Sequence, residues 1–203
     1  MIKYIILSLL FGGIAGYINS SWGTQTISTF VSDYVFNIAL IALLFFMGIS
    51  FGLDKESTKK LRQANFRILS IPFAVASGSI IGGLTSGLIL GINPIASMSV
   101  CAGYGWYTLA GPLNGQLFGA EWGALGFTVN FLRELLTIAT ISLTVKIDKY
   151  APVAMGGATT MDTTLPAIVH YCGQETLITA FSSGFILTLI APFTITTIAT
   201  LAY

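Results

Sequence analysis

Residues 151–172 read APVAMGGATTMDTTLPAIVHYC, and residues 94–118 read PIASMSVCAGYGWYTLAGPLNGQLF. Each is near the ~20 residues that a helix needs to cross a hydrocarbon core, yet neither reads as an uninterrupted helix. The first contains Pro152, Gly156, Gly157 and Pro166; the second contains Gly103, Gly105, Gly111, Pro112 and Gly115. Interior Gly and Pro weaken a helix and leave backbone groups unpaired. In hydrocarbon an unpaired N–H or C=O costs several kcal/mol, so irregular backbone persists at depth only where protein buries it or it lines a polar cavity. Kinked packing would explain one such segment. Two, one of them carrying the lone acid Asp162 among threonines, predict half-helices whose ends surround a polar site near the bilayer midplane.

The rest of the chain is consistent with that setting. Of its 203 residues, 54% are hydrophobic and 8% charged, against roughly a quarter charged in a soluble domain. An all-α polytopic membrane protein is predicted, and a net charge of +1 leaves no polybasic surface for nucleic acid. Cys101 and Cys172 make no disulfide framework, no Cys/His spacing matches a metal site, and no cofactor motif is present. The amino end, MIKYIILSLLFGGIAGYIN, has Lys3 before an apolar run but no convincing cleavage motif, so it reads as a retained first helix.

Apolar segments fall near 4–21, 31–53, 67–91, 94–118, 121–146, 151–172 and 177–201. The linker DKESTKKLRQANFR (54–67) holds five of the nine basic residues, which puts it and the amino end in the cytoplasm under the positive-inside rule. Lys146 and Lys149 join that side only if 94–118 enters and returns on one face. The expected architecture is therefore a single domain over 1–203: two helices in 1–53, the linker, and a core over 68–203. About five helices cross fully, and 94–118 and 151–172 are broken or re-entrant. Gly78, Gly82, Gly83 and Gly87 form a small-residue stripe explained by close helix packing.

A carboxylate near the bilayer centre costs about 2.5–3.5 kcal/mol on insertion scales, which makes Asp162 the sharpest candidate for a functional acid. The blander reading is an N-cap for a half-helix beginning at Leu165. Arg133 and Glu134 lie within NFLRELLTIAT and point about 100° apart on a helix, so each needs its own partner. Arg133 is expected opposite Asp162, as a substrate-binding pair or a structural ion pair, with Glu134 facing threonine or backbone donors. Asp54 marks the cytoplasmic interface or turns toward the cavity mouth; His170 reads as interfacial or core. Trp22, Trp106, Trp122 and Tyr107 suit interface or cavity-wall positions.

At GYGWYTLAGPL (103–113), NFLRELL (130–136) and GGATTMDTTLP (156–166), with a weaker likeness at FFMGISFGLD (45–54), the sequence resembles the LysO family of bacterial lysine exporters. That resemblance implies export of L-lysine and its toxic analogues across the inner membrane, driven by the proton gradient. It places the translocation site at Asp162, Arg133, Glu134, Gly103 to Tyr107 and Gly156 to Thr164. A mechanism on these residues has Arg133 and half-helix amino ends holding the carboxylate of lysine. Asp162, helped by Thr159, Thr160, Thr163 and Thr164, takes an ammonium group in competition with a proton. Longer members carry an additional amino-terminal membrane portion with its own acid. Either Asp54 takes over that role, or a second copy or a small partner subunit supplies it. Two other readings stand beside this one: a non-transporting membrane subunit that scaffolds a partner, and an intramembrane aspartyl protease with Asp54 and Asp162 as its dyad.

Overall fold

A computed structural model describes residues 2–22, 30–53, 55, 59 and 66–202, and no strand is present among them. Asp54 and most of the basic linker lie outside the described residues. Nine α-helices follow in order among those described: α1 (Ile2–Trp22), α2 (Phe36–Leu53), α3 (Phe66–Leu90), α4 (Pro94–Cys101), α5 (Tyr107–Phe118), α6 (Ala120–Thr144), α7 (Ala151–Gly156), α8 (Leu165–Cys172) and α9 (Leu177–Ala199). The chain falls into two units, residues 1–55 and 56–203. The first holds α1 and α2, with a π-helical turn (Val31–Val35) leading into α2. Three stretches of the second, Ser70–Leu90, Ala120–Thr144 and Gln174–Ala202, are long and apolar enough to cross a membrane. The all-α membrane fold expected from composition is the one observed.

The two suspect segments are the two broken ones. Segment 94–118 is α4 and α5 separated by residues 102–106; segment 151–172 is α7 and α8 separated by a 3₁₀ turn (Gly157–Met161) and residues 162–164. Prolines start three of these four half-helices rather than break them: Pro94, Pro152 and Pro166 each occupy a first or second helical position, where the missing N–H has no partner to lose.

Packing fixes the direction of every element in the second unit. On α3, a Cβ added at Gly87 would lie 2.7 Å from Pro94 Cα, and one at Gly83 would lie 3.0 Å from Cys101 Cβ, so α4 runs back alongside α3. Helix α5 then returns against α6: an added Cβ on Gly126 would meet the Ala110 carbonyl at 2.6 Å, and one on Gly123 would meet Gly115 Cα at 2.9 Å. Both ends of this hairpin therefore lie at the face where α3 finishes and α6 begins. The α7–α8 pair enters from the opposite face. Val153, Ile168 and Cys172 share a buried cluster with Ile141, and Ile71, Val145 and Tyr150 pack onto it. Helix α9 starts at that face and ends beside α4. Two units of the same plan result, a spanning helix followed by a re-entrant hairpin, inserted with opposite polarity as in transporter inverted repeats.

This geometry agrees with re-entry of 94–118 and sets Lys146 and Lys149 on the face where α3 begins. Two glycine assignments change. Gly111 lies inside helical α5, where its added Cβ would stand 3.0 Å from Phe127 Cβ; it permits close helix contact and belongs to no break. Gly83 and Gly87 pack closely on α4 as expected, whereas nothing lies within 4 Å of an added Cβ at Gly78 or Gly82, and these two open onto cavities.

Candidate functional site

The breaks meet. The Ala158 N–H donates to the Tyr104 carbonyl at 2.8 Å, tying one unwound segment to the other. Gly157 (φ +65°) and Gly105 (φ +101°) take left-handed conformations there, which glycine adopts without steric cost. Tyr104 adopts φ +51° despite its side chain and is fully buried. A Cβ on Gly157 would fall on the Tyr104 carbonyl, and one on Gly105 would come 3.0 Å from the Gly156 carbonyl. Gly105 of GYGW and Gly157 of GGAT are thus required by a close backbone crossing.

Helix α6 runs past this crossing and serves both halves from one face, through residues at i, i+3 and i+7. Asn130 accepts from the Gly105 N–H (2.7 Å) and donates to the carbonyls of Val100 (2.9 Å) and Gly126 (2.8 Å), closing the end of α4. Arg133 donates from Nε to Met155 O (2.7 Å), from one terminal nitrogen to Ala154 O (3.0 Å), and from the other to Ser79 Oγ (3.0 Å). Thr137 packs against Gly156. A cation is favoured at a helix carboxyl end, and Arg133 supplies it to α7.

The expected pairing of Arg133 with Asp162 is therefore not what forms. Nor does Asp162 cap α8 with its side chain: Thr164 occupies the N-cap position without a side-chain hydrogen bond, and the Asp162 carboxylate accepts from the Thr163 N–H at 2.6 Å. Its negative charge sits at the amino end of α8, where the macrodipole favours it. Each charge is satisfied by the end of a different half-helix, so neither requires the other. Two of the four candidate threonines are also committed to the backbone. Thr159 donates to Gly156 O (3.0 Å) and lies 3.3 Å from the Thr164 hydroxyl, and Thr160 donates to Gly157 O and Ala180 O, both at 2.8 Å. Thr163 is exposed.

A second face of α6 carries Phe127, Phe131 and Glu134. Tyr107, the first residue of α5, packs edge-on to both rings, with centroid distances of 5.4 and 5.5 Å. Glu134 does not find the threonine or backbone donors expected for it; its Oε2 is buried without a hydrogen-bond partner. Among the described residues neither carboxylate has a cation within ion-pair distance. Tyr107 thus packs on the face of α6 that carries Glu134, while Arg133 is engaged with the α7 carbonyls and Ser79. Trp106 caps α5 in position only, half-buried. His170 is exposed and stacks edge-on with Tyr171 at the outer end of α8, away from any relay.

Asn130 is the site residue that sequence reasoning missed. Its signal was available: an amide in an apolar helix, three residues before Arg133 and seven before Thr137. Asn130→Ala leaves the buried Gly105 N–H without a partner, at about 1–3 kcal/mol, and takes one of two donors from the Val100 carbonyl. The expected result is a lowered thermal unfolding midpoint in detergent. Asn130→Asp restores the acceptor for Gly105 alone and should recover only part of the loss.

Two cavities of about 500 and 550 Å³ flank the other side of Arg133, between α3 and α6, and share Ser79 with it. Neither is lined by Asp162, which is exposed.

Comparison with known proteins bears on this arrangement. The family model Lys_export, described as lysine exporter LysO, matches residues 6–199. A lysine exporter LysO of Escherichia coli (strain K12) is 32% identical over 168 residues, covering 83% of this chain and 54% of that relative. A putative lysine exporter of Haemophilus influenzae (strain ATCC 51907 / DSM 11121 / KW20 / Rd) is 29% identical over 153 residues, covering 75% of this chain and 78% of that relative. The chain thus spans about half the length of the E. coli protein, and no solved structure matches it. On the extent of the family match, with its three motifs meeting at one crossing, the chain belongs to the LysO lysine exporter family.

Proposed function

We propose that this chain carries L-lysine out of the cytoplasm across a bacterial inner membrane, in exchange for protons, by alternating access at the crossing of its two broken helices. The observation that carries this reading is the pair of acids Asp162 and Glu134, with Glu134 Oε2 buried without a hydrogen-bond partner and no cation within ion-pair distance of either among the described residues. Intramembrane carboxylates left in that condition mark substrate paths or proton relays. Lysine offers two ammonium groups, and a proton competes for the same oxygens, so loading and release can be coupled to the proton gradient. The amino ends of α5 and α8, which have no side-chain caps, offer N–H donors to the substrate carboxylate. Arg133, with three N–H groups donated to Met155, Ala154 and Ser79, is not needed for that carboxylate at the crossing. The basic residues Lys146 and Lys149 at the face where α3 begins make that face cytoplasmic.

Membership in a family of exporters sets aside the protease reading. One further reading has support from the structure: the chain works with a second copy or a small partner subunit. Asp162 is exposed on its unit at a depth where hydrocarbon would oppose a charge, and the E. coli relative is longer. Lysine counterflow by the purified chain in proteoliposomes at two pH values tests both readings. Uptake by this chain alone, changing with pH, supports the first. Counterflow that appears only with a co-purified subunit supports the second, and its absence in both preparations rejects lysine export.

A further inference from the structure

The cavity of about 550 Å³ beside α3 is lined by both Arg133 and Asp148, together with Ser79, Gly78 and Tyr150. Both signs of charge therefore border one space, and both have capacity left. The Asp148 carboxylate accepts the Tyr150 N–H at 2.7 Å and has no cationic partner among the described residues. The neighbouring Lys149 is instead 3.8 Å from Glu175 and stands over the Tyr150 ring. The guanidinium of Arg133 has five N–H groups, of which three are donated to Met155, Ala154 and Ser79. The wall facing Arg133 is α3, where Gly78 brings no side chain and leaves the space open.

The separation of the two charges along α7 selects the ligand. Asp148 stands before the first residue of α7, whereas Arg133 holds the Ala154 and Met155 carbonyls near its last. The carboxylate and ammonium on one α-carbon are too close together to reach both ends. A lysine-like molecule separates its carboxylate carbon from its terminal ammonium by six bonds of about 1.5 Å each, and hydrogen-bond lengths at both ends complete the span. We propose that this cavity is a second, outlying binding site for amino acids with a distal cation, which takes the carboxylate at Arg133 and the side-chain ammonium at Asp148. It lies at the face where α3 begins, so it serves as a loading site on the cytoplasmic side; in naming lysine the inference rests on the proposed function above.

Equilibrium binding of radiolabelled L-lysine to the purified full chain in detergent tests the inference, with norleucine, equal in length but lacking the ammonium, as competitor. Asn at position 148 keeps an acceptor for the Tyr150 N–H, so Asp148→Asn removes charge while preserving the turn. The wild type is expected to bind lysine at two classes of site. Asp148→Asn should weaken one class about tenfold and leave the other unchanged, Asp148→Glu should restore it, and norleucine should displace lysine from neither. In inside-out vesicles Asp148→Asn should raise half-saturating lysine with little change in maximal rate. Two-class binding unaltered in Asp148→Asn overturns the loading site and leaves lysine export standing. A wild type that binds no lysine overturns both.

Discussion

Asp162→Asn is expected to lower lysine counterflow about 100-fold and to remove its response to pH, while the protein still inserts and purifies as a folded species. The magnitude follows from losing a charge-assisted contact to an ammonium group, about 1.5–3 kcal/mol, at roughly 1.4 kcal/mol per tenfold change. Fold retention follows from the local geometry. The carboxylate accepts from the Thr163 N–H at 2.6 Å, and the amide oxygen of Asn can accept the same bond. The other elements of this break are held by Thr159, Thr160 and Thr164, which the substitution does not touch. Glu134→Gln is expected to act in the same direction, and the double variant to fall short of the product of the two losses, because groups serving one bound cation are not additive. Transport with undiminished pH dependence in Asp162→Asn would reject the assigned role of that acid.

Gly157→Ala should have the largest effect on folding. The residue sits at φ +65°, where a side chain costs about 1 kcal/mol or more. Its new methyl group would fall on the Tyr104 carbonyl and come 3.1 Å from the Arg133 guanidinium carbon. That carbonyl cannot withdraw freely, because it accepts the Ala158 N–H that joins the two breaks. Relief requires separating the unwound segments, which exposes their backbone groups at a cost of several kcal/mol each in hydrocarbon. The measurable outcome is loss of the monodisperse species in detergent, or its survival with an unfolding midpoint far below wild type. Gly12→Ala serves as the control, since an added Cβ there meets nothing within 4 Å. A Gly157→Ala protein as stable as that control would mean that the breaks do not cross closely.

The two breaks could be read from the sequence because their causes are local. Glycine at left-handed positions and proline at helix starts act within a few residues, and the apolar runs of α3, α6 and α9 depend on no partner. Asp162 stood out for a comparable reason: an acid in an apolar chain costs free energy wherever the fold puts it.

What the sequence could not assign were the partners. Arg133 reaches carbonyls 21 and 22 positions away and a hydroxyl 54 away, and Asn130 joins backbone groups 25 and 30 away. Opposite charges suggested that Arg133 and Asp162 would pair. The tertiary structure instead brings Arg133 to the carboxyl end of α7, while Asp162 meets the N–H of its own neighbour Thr163 at the start of α8. Composition, hydropathy and turn chemistry therefore determined the broken helices and the lone acid. The partners of Arg133 and Asn130 were decided by long-range assembly, because a distant helix end becomes an electrostatic partner only where the fold aims it.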